Sequence, residues 1–141
     1  MFLITCAPLV WSQPVQLDAA VSDPSSLIGL TLDGLVSRFG LPQSVHAVRG
    51  IETWQDDVVF VYEDQGFYVY RNRVWQIEIK TAYGIRIGDP FGRVSQLLDG
   101  ALYFDTYLLY TLPSRDWPIT LRVNFDQSQA VSTIFIYRSD F

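Results

Sequence analysis

From residue 27 onward, apolar positions recur in two rhythms, one of helical period and one of period two. In GLTLDGLVSRFGLP (29–42), Leu32, Leu35, Val36 and Phe39 share one helical face, Thr31 stands at the N-cap position, and Gly40 followed by Pro42 ends the helix. β-rich runs follow at IETW (51–54), VVFVY (58–62), FYVYR (67–71) and VWQIEIK (74–80). Turn chemistry at Asp64 to Gly66 and Arg71 to Arg73 separates the later runs, as in a meander of antiparallel hairpins.

The order then restarts. In GIRIGDPFGRVSQLLDG (84–100), Asp89 is the expected N-cap, Pro90 the first helical residue, and Phe91, Val94, Leu97 and Leu98 the apolar face. Strands are expected at TYLLYTL (106–112), ITLRVNF (119–125) and VSTIFIYR (131–138), with a DQSQ turn at 126–129. The two caps are 58 residues apart, as are Ile79 and Tyr137, and that offset places Gly34, Val36 and Ser37 on Gly92, Val94 and Ser95. An offset of 59 instead matches Gly29 with Gly88 and Leu35 with Val94, so the register stays open by one residue. The fold class this predicts is α+β. It comprises two tandem units (27–82 and 83–141), each a short helix followed by an antiparallel β-meander, in a helix-on-sheet two-layer fold.

Ile28-Gly29-Leu30-Thr31 through Phe39-Gly40-Leu41-Pro42 resembles the opening of the SmpA/OmlA (BamE-type) family of small outer-membrane lipoproteins, where a Gly-hydrophobe-Thr cap starts a short helix closed by Gly-x-Pro. Ile87-Gly88-Asp89 through Leu98 looks like a diverged second copy, with Asp89-Pro90 in place of the Thr. Two such units in tandem are similar to the BLIP-like fold of the beta-lactamase inhibitory proteins. The resemblance implies a helix-and-sheet fold that acts through non-enzymatic protein contact.

The first 26 residues follow a different logic. MFLITCAPLVWS (1–12) is apolar and uncharged, with Val10 and Ser12 small enough for a signal-peptidase site before Gln13, which reads as a signal-peptide remnant. A start further upstream, a degraded signal and an apolar N-terminal strand remain alternatives, since no basic residue precedes the run. Leu3-Ile4-Thr5-Cys6 resembles a lipobox, but Thr5 replaces the usual Gly, Ala or Ser, which argues against lipidation of Cys6. The polar stretch QPVQLDAAVSDPSS (13–26) is expected to be a linker. Export places the protein in the periplasm or at the outer membrane, with membrane association only through a lipidated Cys6 or a partner.

Composition narrows the function. The net charge is −5 and the basic residues are scattered singly, which excludes nucleic acid as a partner, because phosphate neutralisation needs clustered Lys and Arg. With one cysteine and one histidine, neither a disulfide, a Cys-based metal site nor a histidine-centred catalytic set is expected, and His46 reads as a solvated loop residue after Pro42. Asp56-Asp57 and Glu63-Asp64 could face each other across a hairpin, but without the spacing of a calcium loop they read as turn charges that keep the hairpins soluble. The glycines show no phosphate-loop or dinucleotide pattern. No cofactor, no metal and no enzymatic activity is expected.

Aromatic residues, 15% of the chain, remain to be explained. In VWQIEIK, Trp75, Ile77 and Ile79 are expected inward, as are Ile119, Leu121, Val123 and Phe125 in ITLRVNF. FYVYR and TIFIY carry large apolar groups on both faces, so Tyr68, Tyr70, Phe135 and Tyr137, with Trp54 and Trp117 near loop ends, are the candidate binding residues. The reading is a non-catalytic exported module docking a cell-envelope protein on an aromatic sheet face. Alternatives are an inhibitor that inserts a loop (55–57 or 114–117) into a hydrolase cleft, and a small-molecule or lipid-binding protein.

Overall fold

Alternating β-branched and aromatic residues make strand the dominant element in the computed structural model, which describes residues 23–50, 57–114 and 116–141. The strands are β1 (Ser44–Val48), β2 (Asp57–Tyr62), β3 (Gln65–Tyr70), β4 (Arg73–Ile79), β5 (Thr81–Ala82), β6 (Ile85–Arg86), β7 (Leu102–Tyr103), β8 (Tyr107–Leu112), β9 (Ile119–Phe125) and β10 (Val131–Arg138). Among the described residues, helix is confined to a 3-10 turn (Pro24–Leu27), α1 (Leu32–Phe39) and α2 (Phe91–Leu97).

The expectation of two helix-then-meander units in a two-layer fold is overturned by the sheet. Eight antiparallel strands run in the order β1-β2-β3-β4-β10-β9-β8-β7, and only β5 and β6 form a separate ribbon. The join is the pairing of β4 with β10, where Ile77 faces Ile136 and Ile79 faces Ile134. Each of these strands is apolar on its inward face, and each hides an otherwise open edge against the other. Alternation assigns a residue to a face, but it does not say which strand lies beside which.

On the inward face, Phe67, Val74, Ile77, Leu108, Leu121, Val123, Ile134 and Ile136 are fully buried and form one continuous core with Leu35 of α1 and Val94 of α2. Helix α1 is short but well specified. Thr31 caps it by accepting a hydrogen bond from Gly34 N at 3.1 Å, and Phe39 packs on Phe67 with ring centroids 5.4 Å apart. Helix α2 differs from expectation: Pro90 sits in the capping position with no side-chain bond, because Asp89 is turned back to accept from Arg86 N at 2.8 Å. The expected linker also ends early, since Pro24 and Ser25 are buried in the 3-10 turn that Asp23 caps.

Corresponding hydrogen bonds pin the turn before each helix to a closing strand. Gly29 N donates to Val74 O at 2.7 Å and Val74 N to Leu30 O at 2.9 Å; Gly88 N donates to Val131 O at 2.8 Å and Val131 N to Asp89 O at 2.9 Å. These positions are 59 residues apart at the glycines and 57 at the valines, so no single offset describes both. Both closing strands are irregular just beyond the pinned valine, with register shifts between Tyr68 and Val69 opposite β4 and between Val131 and Thr133 in β10.

Gly29 and Gly88 both adopt positive φ, +86° and +89°, but a Cβ on Gly29 would lie 3.0 Å from Trp117 Cζ2, whereas one on Gly88 would meet open space. Both alanine variants are expected to lose about 1 kcal/mol to backbone strain. Gly29→Ala is expected to lose clearly more in urea denaturation, because Trp117 must move off the core. Equal losses would show that Trp117 yields freely.

Candidate docking face

The outward face of the sheet is built by the alternate residues of the same strands. One row across it reads His46, Val59, Tyr68, Gln76, Tyr137, Thr120 and Thr111, and the next reads Ser44, Val61, Gly66, Glu78, Phe135, Arg122 and Leu109. Both helices pack on the opposite side, within the inward core. Four of the predicted binding residues, Tyr68, Tyr70, Phe135 and Tyr137, therefore share this face, and all four are half-buried.

The structure separates the remaining two. Trp54 lies outside the described residues. Trp117 lies on the inward side, where it packs against the core beside Gly29 and beneath the Arg138 guanidinium, 4.1 Å from the ring centroid. The aromatic cluster also gains a member that the alternation misassigned. Trp75, expected inward, is the extra residue at the β4 irregularity and turns outward, touching Tyr68 at 6.4 Å and donating from Nε1 to Asp57 Oδ1 at 2.9 Å. Phe141 stacks on Trp75 with centroids 5.5 Å apart and meets Tyr70 edge-on at 5.5 Å. Tyr70 is thus already engaged within the chain.

Next to Tyr68, between Val61 and Glu78, the face dips at Gly66, which has no side chain to fill the row. An open groove of about 560 Å³ lies there, lined in part by His46, Val59, Val61, Tyr68, Glu78 and Thr133. Sequence reading assigned Gly66 to a turn; a glycine inside a strand also marks a place where another chain or ligand can approach the backbone. His46 belongs to the exposed edge strand β1 rather than to a loop. It stands opposite Val59, which is buried on the outward face.

The polar groups of the face are specific. Tyr68 OH donates to Glu78 Oε2 at 3.2 Å, and burial, then the Glu78 charge, push the Tyr68 phenol up to about 12. Arg122 lies over the Tyr107 ring at 4.0 Å and donates from Nε to Asn124 Oδ1 at 2.8 Å. Lys80 pairs with Asp64 at 2.9 Å. Asp57 does not face Glu63-Asp64: Asp57 starts β2 and the other two follow its far end, roughly 20 Å along an extended strand, while Asp56 lies outside the described residues. Among the described residues, no group of three or more His, Cys, Asp or Glu is placed to hold a metal, and no helix is long and apolar enough to cross a membrane.

Compared with known proteins, the chain matches no family model and no curated protein. Among solved structures it is similar to an extracellular protein containing an SCP domain from Bacillus anthracis str. Ames, with a TM-score of 0.59 and 12% identity over 92% of this chain. The match takes in 50% of that protein, so the chain spans half its length. At this identity the likeness is one of fold.

Proposed function

We propose that the chain is an exported, non-catalytic protein-binding module that docks a cell-envelope partner on the outward face of its sheet. One observation carries this reading: Tyr68, Phe135 and Tyr137 stand half-exposed on the face opposite both helices, where Tyr68 also lines an open groove of about 560 Å³. A sheet face turned to water ordinarily carries polar residues, and contiguous aromatics there mark contact surfaces. Tyrosine suits the task because it offers a large rigid area with a polar tip at small entropic cost. Support for export comes from the apolar stretch 1–12 and from the fold-level neighbour, which is described as extracellular. The Gly29-Leu30-Thr31 opening, which resembles SmpA/OmlA proteins, supports an envelope setting.

The test uses immobilised full chain and detergent-solubilised envelope proteins, comparing wild type with Tyr68→Ala and Tyr137→Ala. Each variant is expected to lose about tenfold in retention of the captured partner, as central aromatic anchors do, while keeping a native far-UV spectrum. Undiminished retention by both variants would make the face structural.

A further inference from the structure

The groove on the docking face is chemically lopsided. Among the described residues, its lining holds three carboxylates, Glu63, Asp64 and Glu78, against the single ammonium of Lys80. Lys80 is spent on Asp64, at 2.9 Å, and on the Glu63 carbonyl, at 3.4 Å. Arg122, on the far side of Phe135, is engaged by the Tyr107 ring and by Asn124. Glu78 is left half-buried in the floor beside Gly66, with the Tyr68 hydroxyl as its hydrogen-bond donor and, among the described residues, no cationic group within 4.0 Å. A carboxylate in a half-buried groove beside an aromatic ring, without a counter-charge, is complementary to a cation brought from outside.

From this we infer that the Gly66 depression receives a basic side chain of the docked partner, arginine in preference to lysine, paired with Glu78 and lying beside the Tyr68 ring. This rests on the reading of the outward face as a docking surface. Three features fit such an occupant. The absent side chain at Gly66 leaves room above the strand, where even an added Cβ would come no nearer than 3.5 Å to Val59 Cγ1. Val59, Val61 and the Tyr68 ring offer apolar wall to the methylene stem, so the stem packs while the head reaches the carboxylate. A planar guanidinium can hydrogen-bond Glu78 and lie against an aromatic face at once, which an ammonium does less well. The groove is also larger than one side chain and open, which suits a residue presented on an extended segment rather than a free small cation.

The experiment titrates the isotopically labelled full chain, followed by amide NMR, with capped pentapeptides Ala-Ala-Xaa-Ala-Ala in which Xaa is Arg, Lys, Leu or Glu. The Arg peptide is expected to bind most tightly and to shift the amides of Gly66, Tyr68 and Glu78. Lys should follow, Leu bind less, and Glu not at all. Glu78→Gln keeps an acceptor for the Tyr68 hydroxyl and is expected to weaken the Arg peptide by about tenfold or more, leaving the Leu peptide unchanged. Gly66→Ala, whose Cβ meets only ordinary contacts, should weaken the Arg and Lys peptides without disturbing the rest of the spectrum.

Equal binding of Leu and Arg peptides, or an unchanged Arg affinity in Glu78→Gln, would overturn the basic occupant. So would the absence of any shift on the outward face at millimolar peptide. In each case, partner retention that still depends on Tyr68 and Tyr137 would leave the docking reading standing, whereas retention independent of both would remove it as well.

Discussion

Replacing Phe67 by Ala is expected to lower the stability of the fold by about 3–5 kcal/mol. Phe67 is fully buried at the centre of β3, with the Phe39 ring 5.4 Å and the Tyr62 ring 5.7 Å away. Removing it takes away the largest fully buried side chain and the platform on which α1 seats its last turn. The short helix cannot shift to fill the space, because Thr31 caps its start and Gly29 is hydrogen-bonded to Val74 at 2.7 Å. Against a total of about 5–15 kcal/mol for a domain of this kind, such a loss is severe. Urea denaturation should show a lower midpoint with an unchanged slope, and the melting temperature should fall by roughly 10–20 °C. The neighbouring Tyr68→Ala serves as control: it removes a half-exposed ring from the opposite face and is expected to cost about 1 kcal/mol. Similar losses at both positions would mean that the two faces of β3 are wrongly assigned.

How far such assignments were legible depended on whether the determinant was local. Strand β9 follows the alternation to the residue, with Ile119, Leu121, Val123 and Phe125 all buried on the inward face, and β10 follows it beyond its irregularity, where Ile134 and Ile136 are buried. The start of α1 was equally legible, because a Thr cap acts through its own side chain within three residues. Trp75 was not, because one extra residue in a strand reverses the parity of everything on its far side. Asp89 read as a cap, but the Arg86 amide competes for the same carboxylate and holds it at 2.8 Å. Trp117 read as a loop residue, although the chain returns it to Gly29, 88 positions away, through contacts that no local pattern records.

The same division runs through the outward face. That Tyr68, Tyr70, Phe135 and Tyr137 share one face was legible because two-sided apolar strands break the polar alternation. Glu78 and Gly66 were not: a Glu at an outward strand position is unremarkable until the neighbouring strands show that it has a glycine on one side and a phenylalanine on the other. What joins them is the β4–β10 pairing, the one long-range fact from which the continuous sheet and the two-row face both follow.

That pairing is the site of the second large effect. Ile136 is fully buried between Ile77 of β4 and Leu121 of β9, so Ile136→Asp introduces a carboxylate where no partner or water can reach it. At neutral pH the loss is expected to reach about 5 kcal/mol or more, comparable to the whole stability, whereas Ile136→Val should cost about 0.5–1.5 kcal/mol. The sign of the pH dependence follows from desolvation, which raises the folded-state pKa of the introduced acid above its unfolded value of about 3.9. Below that value both states hold the proton and only lost packing and the burial of a neutral carboxyl remain; as pH rises, the unfolded state releases the proton first and the deficit grows. Circular dichroism against pH should therefore show the variant most ordered in acid, relative to wild type at the same pH. The manner of unfolding is as informative as its extent. Neither β4 nor β10 has another strand on the side where they meet, so separating them exposes two long apolar edges at the centre of the sheet. Loss of order in β1–β4 together with β7–β10, in one transition, is the expected outcome. Amide signals of β1–β4 that persist while those of β7–β10 collapse would show instead that the sheet is continuous in geometry but not in cooperativity.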